Sequence, residues 1–163
     1  MKNITLADGR NITVKCLSCS LVTGEIQPSG GTIYETTFFH AHQDVAYPIR
    51  GLVILASKRH VTCLDELTKE ERSDYIHTLY QIRKAQREVL GIEHVYYFYN
   101  EDTTHHFHTW MVPRYDWMHE FGKSVESVRP VLLHARQSRN HTDEVEKTLT
   151  AIHGLREFLN KSY

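Results

Sequence analysis

No stretch of the chain approaches the roughly 18 consecutive apolar residues that a membrane span needs, which excludes a membrane-embedded reading. The opening Met1-Lys2-Asn3-Ile4-Thr5-Leu6-Ala7-Asp8-Gly9 lacks the apolar centre of a signal peptide, so a cytoplasmic location is expected. Charge of one sign is missing too. Nineteen Lys and Arg oppose 20 Asp and Glu for a net charge of -1, so no whole-protein field draws nucleic acid or anionic lipid. Any phosphate binding must be local. Cysteine is scarce and odd in number, at 3, whereas a secreted disulfide framework favours an even count. What remains is ordinary globular usage: 163 residues, 40% apolar and 24% charged, which fits one compact domain over residues 1–163 and excludes disordered and collagenous classes.

Two features stand out against this background. The chain has 12 histidines, the side chain that both ligates metals and titrates near neutral pH. Two of the cysteines, Cys16 and Cys19, form a CxxC pair, which in an intracellular chain reads as metal or redox chemistry.

Asn3-Ile4-Thr5-Leu6 and Asn11-Ile12-Thr13-Val14 alternate polar with apolar around Asp8-Gly9, and predict a hairpin. Thr32–Thr36 and Phe38–His42 are rich in β-formers, and the apolar run Leu52–Ala56 predicts a strand in the middle of a sheet. Thr68-Lys69-Glu70-Glu71 has the pattern of a capping box. The helix it opens carries Tyr75, Ile76, Leu79 and Ile82 at helical spacing and stops at Gly91. Aromatic and β-branched His94–Asn100 and then His106–Val112 read as strands across the polar turn Glu101–Thr104. Two helical faces follow, one with Val128, Leu132 and Ala135, the other with Val145, Leu149, Ile152, Leu155 and Leu159. Strands, a long helix, more strands and then helices indicate an α+β class.

Residues two apart on a strand share a face, so the last strand projects His106, His108 and Trp110 together. Such a pair of imidazoles reads either as a solvated or core face or as a chemical site. The adjoining CxxC and His60, placed after a buried strand, favour a site. Cys63 is expected as a small buried hydrophobe.

The run His106-Phe107-His108-Thr109-Trp110-Met111-Val112-Pro113-Arg114 resembles the active-site strand of the histidine triad superfamily, His-x-His-x-His-x-x followed by Pro-Arg. Further segments resemble that family in the same order. Cys16-Leu17-Ser18-Cys19 with Gly24-Glu25-Ile26 is similar to the opening of its zinc-containing branch. Asp44, and Pro48 through Lys58-Arg59-His60-Val61, are similar to its nucleotide wall, Leu67-Thr68-x-Glu70-Glu71 to its helix start, and Asn100 to its strand-end asparagine. The resemblance spans residues 16–114; the hairpin before it and the helical extension 115–163 lie outside. It departs at the third triad position, which is Trp110, in the shortened stretch Glu101–His105, and at Gly51-Leu52 where the family has Gly-His.

The resemblance implies an antiparallel sheet of about five strands with a long helix packed on it, flanked here by the hairpin and the C-terminal helices. It implies a nucleotide hydrolase or nucleotidyltransferase acting at an α-phosphate through a covalent nucleotidyl group on His108. A neutral imidazole presents one lone pair there while its other nitrogen donates to a backbone carbonyl. Asp44 would take the ribose hydroxyls. Asn100, Thr103 and Thr104 would serve the ribose or phosphate, and Trp110 can donate its single N–H to a phosphate oxygen or simply pack. His40 and His42 share a face near the same wall and can touch a phosphate or base, or pack. Cys16, Cys19, His60 and His106 would hold a structural zinc, with a redox pair or a fortuitous CxxC as the competing readings. A nucleotide or nucleotide conjugate and a second copy of the chain, as a homodimer, are the implied partners, with no membrane and no strong nucleic-acid signal. Three alternatives remain open: a nucleotide-binding protein with little or no turnover, a transferase like the galactose-1-phosphate uridylyltransferases, whose third position is glutamine, and an unrelated catalytic metal centre.

Overall fold

The computed structural model describes residues 1–5, 11–103 and 105–161, with Lys2, Ile4 and Thr5 described by their backbone only. The Asp8-Gly9 turn and Thr104 therefore lie outside the described residues. The hairpin strands are present as β1 (Lys2–Thr5) and β2 (Asn11–Val14), paired antiparallel with Ile4 opposite Ile12 in a two-stranded sheet of their own. The short α1 (Leu17–Val22) follows directly.

The main sheet contains β3 (Tyr34–Glu35), β4 (Phe39–His42), β5 (Val53–Ser57), β6 (Val95–Phe98) and β7 (His108–Pro113) in the antiparallel order β3-β4-β5-β7-β6. Every residue of β5 is buried, as its uninterrupted apolar run predicts for a strand with neighbours on both edges. Strand β7 begins at His108, two residues later than the alternation predicts. His106 lies just before it, in a segment held by Phe107 N–H donating to Val61 O at 2.7 Å and Ser57 N–H donating to Phe107 O at 3.1 Å.

The long helix is α2 (Lys69–Leu90). Thr68 Oγ1 accepts from Glu71 N–H at 3.2 Å and Glu71 Oε2 accepts from Thr68 N–H at 2.8 Å, the reciprocal box its sequence predicts. Arg59 adds two bonds to the Glu71 carboxylate, at 2.8 and 2.7 Å, and holds it down to about 2. Gly91 ends the helix in the left-handed region, at φ 65°. Two further helices, α3 (Val125–Ser138) and α4 (Thr142–Lys161), complete the chain.

Side-chain alternation divides the sheet into two faces. Phe39, Ala41, Val53, Leu55 and Met111 join Ile82 and Ala85 of α2 and Ile152, Leu155 and Leu159 of α4 in one buried cluster. The C-terminal extension is thus part of the core that covers this face. Ile54 and Val112, from the opposite face, join Ile49, Leu52 and Met118 with Val131 and Ala135 of α3. By the same alternation His40, His42, Ala56, His108 and Trp110 belong to this second face.

Candidate functional site

Cys16 caps the start of α1 and Cys19 lies three residues on, one turn along, so both sulfurs emerge on the same side. His60 follows the exit from β5, and His106 sits where the chain enters β7. Cross-strand bonding brings these segments together. Cys16 Sγ lies 3.3 Å and Cys19 Sγ 3.5 Å from His106 Nδ1, Cys19 Sγ lies 3.2 Å from His60 Nδ1, and the two Nδ1 atoms are 3.2 Å apart. All four ligand atoms fall within 4.8 Å of one another. A tetrahedron with zinc–nitrogen bonds of about 2.0–2.1 Å and zinc–sulfur bonds of about 2.3 Å has edges of roughly 3.3–3.8 Å, so the donors fit zinc in number, type and spacing.

The ring of His106 is oriented by its other nitrogen. Nε2–H donates to Ser57 O at 2.8 Å, with Ser57 Oγ a further 3.3 Å contact, and this tautomer leaves the Nδ1 lone pair facing the cysteines. His106 is fully buried. Burial and the neighbouring Cys16 thiol push Cys19 up to about 11, a cost of holding two sulfurs together that a divalent cation relieves.

Two residues on, His108 directs Nδ1–H to the carbonyl of His106 at 2.8 Å. A carbonyl only accepts, so in the neutral ring the lone pair resides on Nε2. This is the geometry that nucleophilic attack by imidazole requires. The cross-strand partner of His108 is Ala56, whose small side chain adds little bulk beside the ring, and the partner of Ala56 on its other side is His40. His108 is 8% exposed.

Trp110 pairs across β5 with Ile54 and beyond it with His42. It is half-buried and meets the ring of Tyr47 edge-on, with centroids 5.5 Å apart and planes at 78°. His40 and His42 stack, their centroids 5.3 Å apart, and both are buried. Burial pushes His42 down to about 3, helped by the nearby His40 and His108, and lowers His40 as well. The His42 ring is therefore neutral at physiological pH.

The remaining predicted residues are placed as follows. Asp44 is exposed in the β4–β5 connection, where one carboxylate oxygen accepts from Ala46 N–H at 3.0 Å, an Asx turn. Asn100 Oδ1 accepts the hydroxyl of Thr103, so the Thr103 proton is already directed to its neighbour. Cys63 departs from expectation. It is only half-buried, because it opens a 3-10 turn over Leu64–Glu66 and contacts the Glu66 carboxylate at 3.2 Å instead of filling the core. Sequence reading missed Ser57 and Tyr47. Ser57 looks like the end of an apolar strand, and Tyr47 like a loop residue; only the strand pairing brings them to His106 and Trp110.

No family model and no curated protein matches the chain. Among solved structures, a zinc-bound histidine triad family protein from Mycobacterium smegmatis superposes with a TM-score of 0.64 at 22% identity, over 91% of this chain and 95% of that one. A HIT family protein from Bacillus anthracis gives a TM-score of 0.59 at 22% identity over 93% and 99% of the two chains. A HIT family member from Bacillus subtilis gives 0.59 at 23% identity over 68% and 81%. The chain has the histidine triad fold. It carries within that fold a Cys2His2 cluster suited to a structural zinc ion.

Proposed function

We propose that the protein binds a nucleotide or nucleotide conjugate against the β4–β5–β7 face and transfers its nucleotidyl group through His108. In the first step the Nε2 lone pair bonds to the α-phosphorus, and the bond to the leaving group breaks with its electron pair. The ring becomes positively charged, and its Nδ1–H bond to the His106 carbonyl stabilises that charge. In the second step the oxygen of water, or of another acceptor, bonds to phosphorus as it gives up its proton to solvent or to the departed group, and the P–N pair returns to Nε2. One hard displacement becomes two easier ones. The observation that carries this reading is the His108 Nδ1–H bond to His106 O, which leaves Nε2 free on the histidine triad fold.

Asp44, Asn100, Thr103, Thr104 and Trp110 are the substrate-binding candidates, of which Trp110 lies on this face. A zinc ion bound by Cys16, Cys19, His60 and His106 would supply a cross-link between α1 and the entry to β7. Through His106 these residues hold the carbonyl that orients His108. The metal-binding role is checked by zinc content after purification without added zinc. About one zinc per chain is expected in the wild type and a strong loss in Cys16→Ser; equal zinc in both removes this ligand set.

The catalytic role is tested by quenching the protein in mid-turnover with α-phosphate-labelled substrates: adenosine and uridine phosphoramidates, dinucleoside polyphosphates and sugar nucleotides. Label on the wild type and none on His108→Ala is the expected result, and label retained in the variant contradicts it. Trp110 favours a second reading, a nucleotide-binding protein without turnover, because indole has no titratable proton to give a leaving group. Nucleotide binding with neither labelling nor product would identify that case.

A further inference from the structure

The second face does not end at Trp110. The Tyr47 ring that meets Trp110 carries on its own face the guanidinium of Arg136 from α3, 5.6 Å from the ring centroid, and Arg136 Nη1 reaches Tyr47 Oη at 3.4 Å. Two more guanidinium groups are held on rings close by in the chain. Arg139 lies over Trp117 at 4.6 Å, and Arg50 over Tyr115 at 5.2 Å, with Tyr115 O–H donating to Arg50 O at 2.7 Å. Arg50, Arg139 and Lys147 line a cavity of about 210 Å³ together with Pro48, Ile49, Tyr115 and Trp117, so it adjoins Tyr47 through the β4–β5 connection. Glu144 is the one acidic residue lining it, and its carboxylate is shared between Arg139 at 2.7 Å and Lys147 at 2.9 Å. Neither Arg50 nor Arg136 forms an ion pair with a described carboxylate. The chain as a whole is nearly neutral, so this excess of cations is a local feature.

A guanidinium held over an aromatic ring keeps N–H edges that can turn to an anion, and the ring contact limits the side-chain entropy lost on binding. Several such edges in a row suit a ligand with several phosphate groups. The larger neighbouring cavity, about 600 Å³, shares Arg50 and Lys147 but adds Asp143, Glu146 and the apolar Val89 and Leu90, which do not suit a polyanion.

We propose that Arg136, Arg50, Arg139 and Lys147 form a binding site for a short chain of phosphates. Arg136 of α3, Arg139 just after it and Lys147 of α4 lie outside the segment that resembles the histidine triad family, and Arg50 lies within it.

Calorimetry on the full chain tests this site, with inorganic orthophosphate, inorganic tripolyphosphate, AMP, ATP and diadenosine tetraphosphate as probes. Tripolyphosphate is expected to bind more tightly than orthophosphate and to weaken steeply with added salt. Arg50→Gln and Arg136→Gln should each weaken tripolyphosphate, ATP and diadenosine tetraphosphate roughly tenfold, leave AMP unchanged, and melt at the wild-type temperature. Arg136→Lys, which retains the charge, should recover part of the affinity. Tripolyphosphate binding that is no tighter than orthophosphate, or is indifferent to both substitutions, overturns the site.

Discussion

Within the site, histidines of one sequence neighbourhood are assigned different work by their second nitrogen. His106 and His108 are two residues apart, yet one hands its Nε2–H to Ser57 O and turns Nδ1 to the cysteines, while the other hands its Nδ1–H to His106 O and keeps Nε2 free. The pairing of His106 with His108 was legible in the sequence from spacing alone. The choice of nitrogen was not, since it depends on carbonyls supplied across strands. His42 shows a third outcome, a buried neutral ring whose Nδ1 has no hydrogen-bond partner among the described residues. Its folded-state value of about 3 lies below the ordinary 6.5, so between these limits the unfolded chain binds a proton that the folded chain does not. Stability from this ring is complete above the ordinary value and is lost as pH falls through that window. His42→Phe should therefore flatten the fall of stability between pH 6.5 and about 3 by close to one proton, as read from denaturant midpoints across pH. An unchanged slope would show that the ring is not held neutral.

At the scale of elements, local chemistry foretold the boundaries it controls. Thr68 and Glu71 start α2, and Gly91 stops it, because caps are made by residues within one turn of the end. The late start of β7 was not foretold, since it is set by the bonds of Phe107 and Ser57 and not by alternation. The helical period of 145–159 announced an apolar face but not what covers it, and the packing of α4 against the α2 face of the sheet came from tertiary contacts. Gly51 shows the same limit. It stands where Gly-Leu departs from the family's Gly-His, and its reason is visible only in three dimensions. Its φ is +74°, and a Cβ there would fall 2.7 Å from Leu90 Cδ1 and 2.8 Å from Ile92 Cδ1 at the end of α2. Gly51→Ala should cost about 2 kcal/mol through backbone strain and displacement of those methyls, seen as a melting temperature lower by several degrees. A variant as stable as wild type would mean the turn relaxes without strain.

For the molecule as a whole, the α+β class and the histidine triad fold followed from order and motif together, with the five-stranded sheet implied by the resemblance. No described helix is long and apolar enough to cross a membrane. The metal cluster was also foreseen, its CxxC half from spacing and its His60 and His106 half from the family resemblance, and the sheet closes them to within 4.8 Å. Less visible was that α3 and α4 do more than extend the fold. One brings Arg136 to the Tyr47 ring beside Trp110, and the other fills the core. That contribution comes from side chains distant in sequence, which no local pattern marks. The central claim is a covalent bond between His108 Nε2 and a nucleoside monophosphate, and peptide mass mapping of acid-free quenched protein reads it directly. A nucleotidyl mass increment confined to the His108 peptide, formed and lost at the rate of turnover, is predicted. Turnover that leaves this peptide unmodified at every time point would contradict the account.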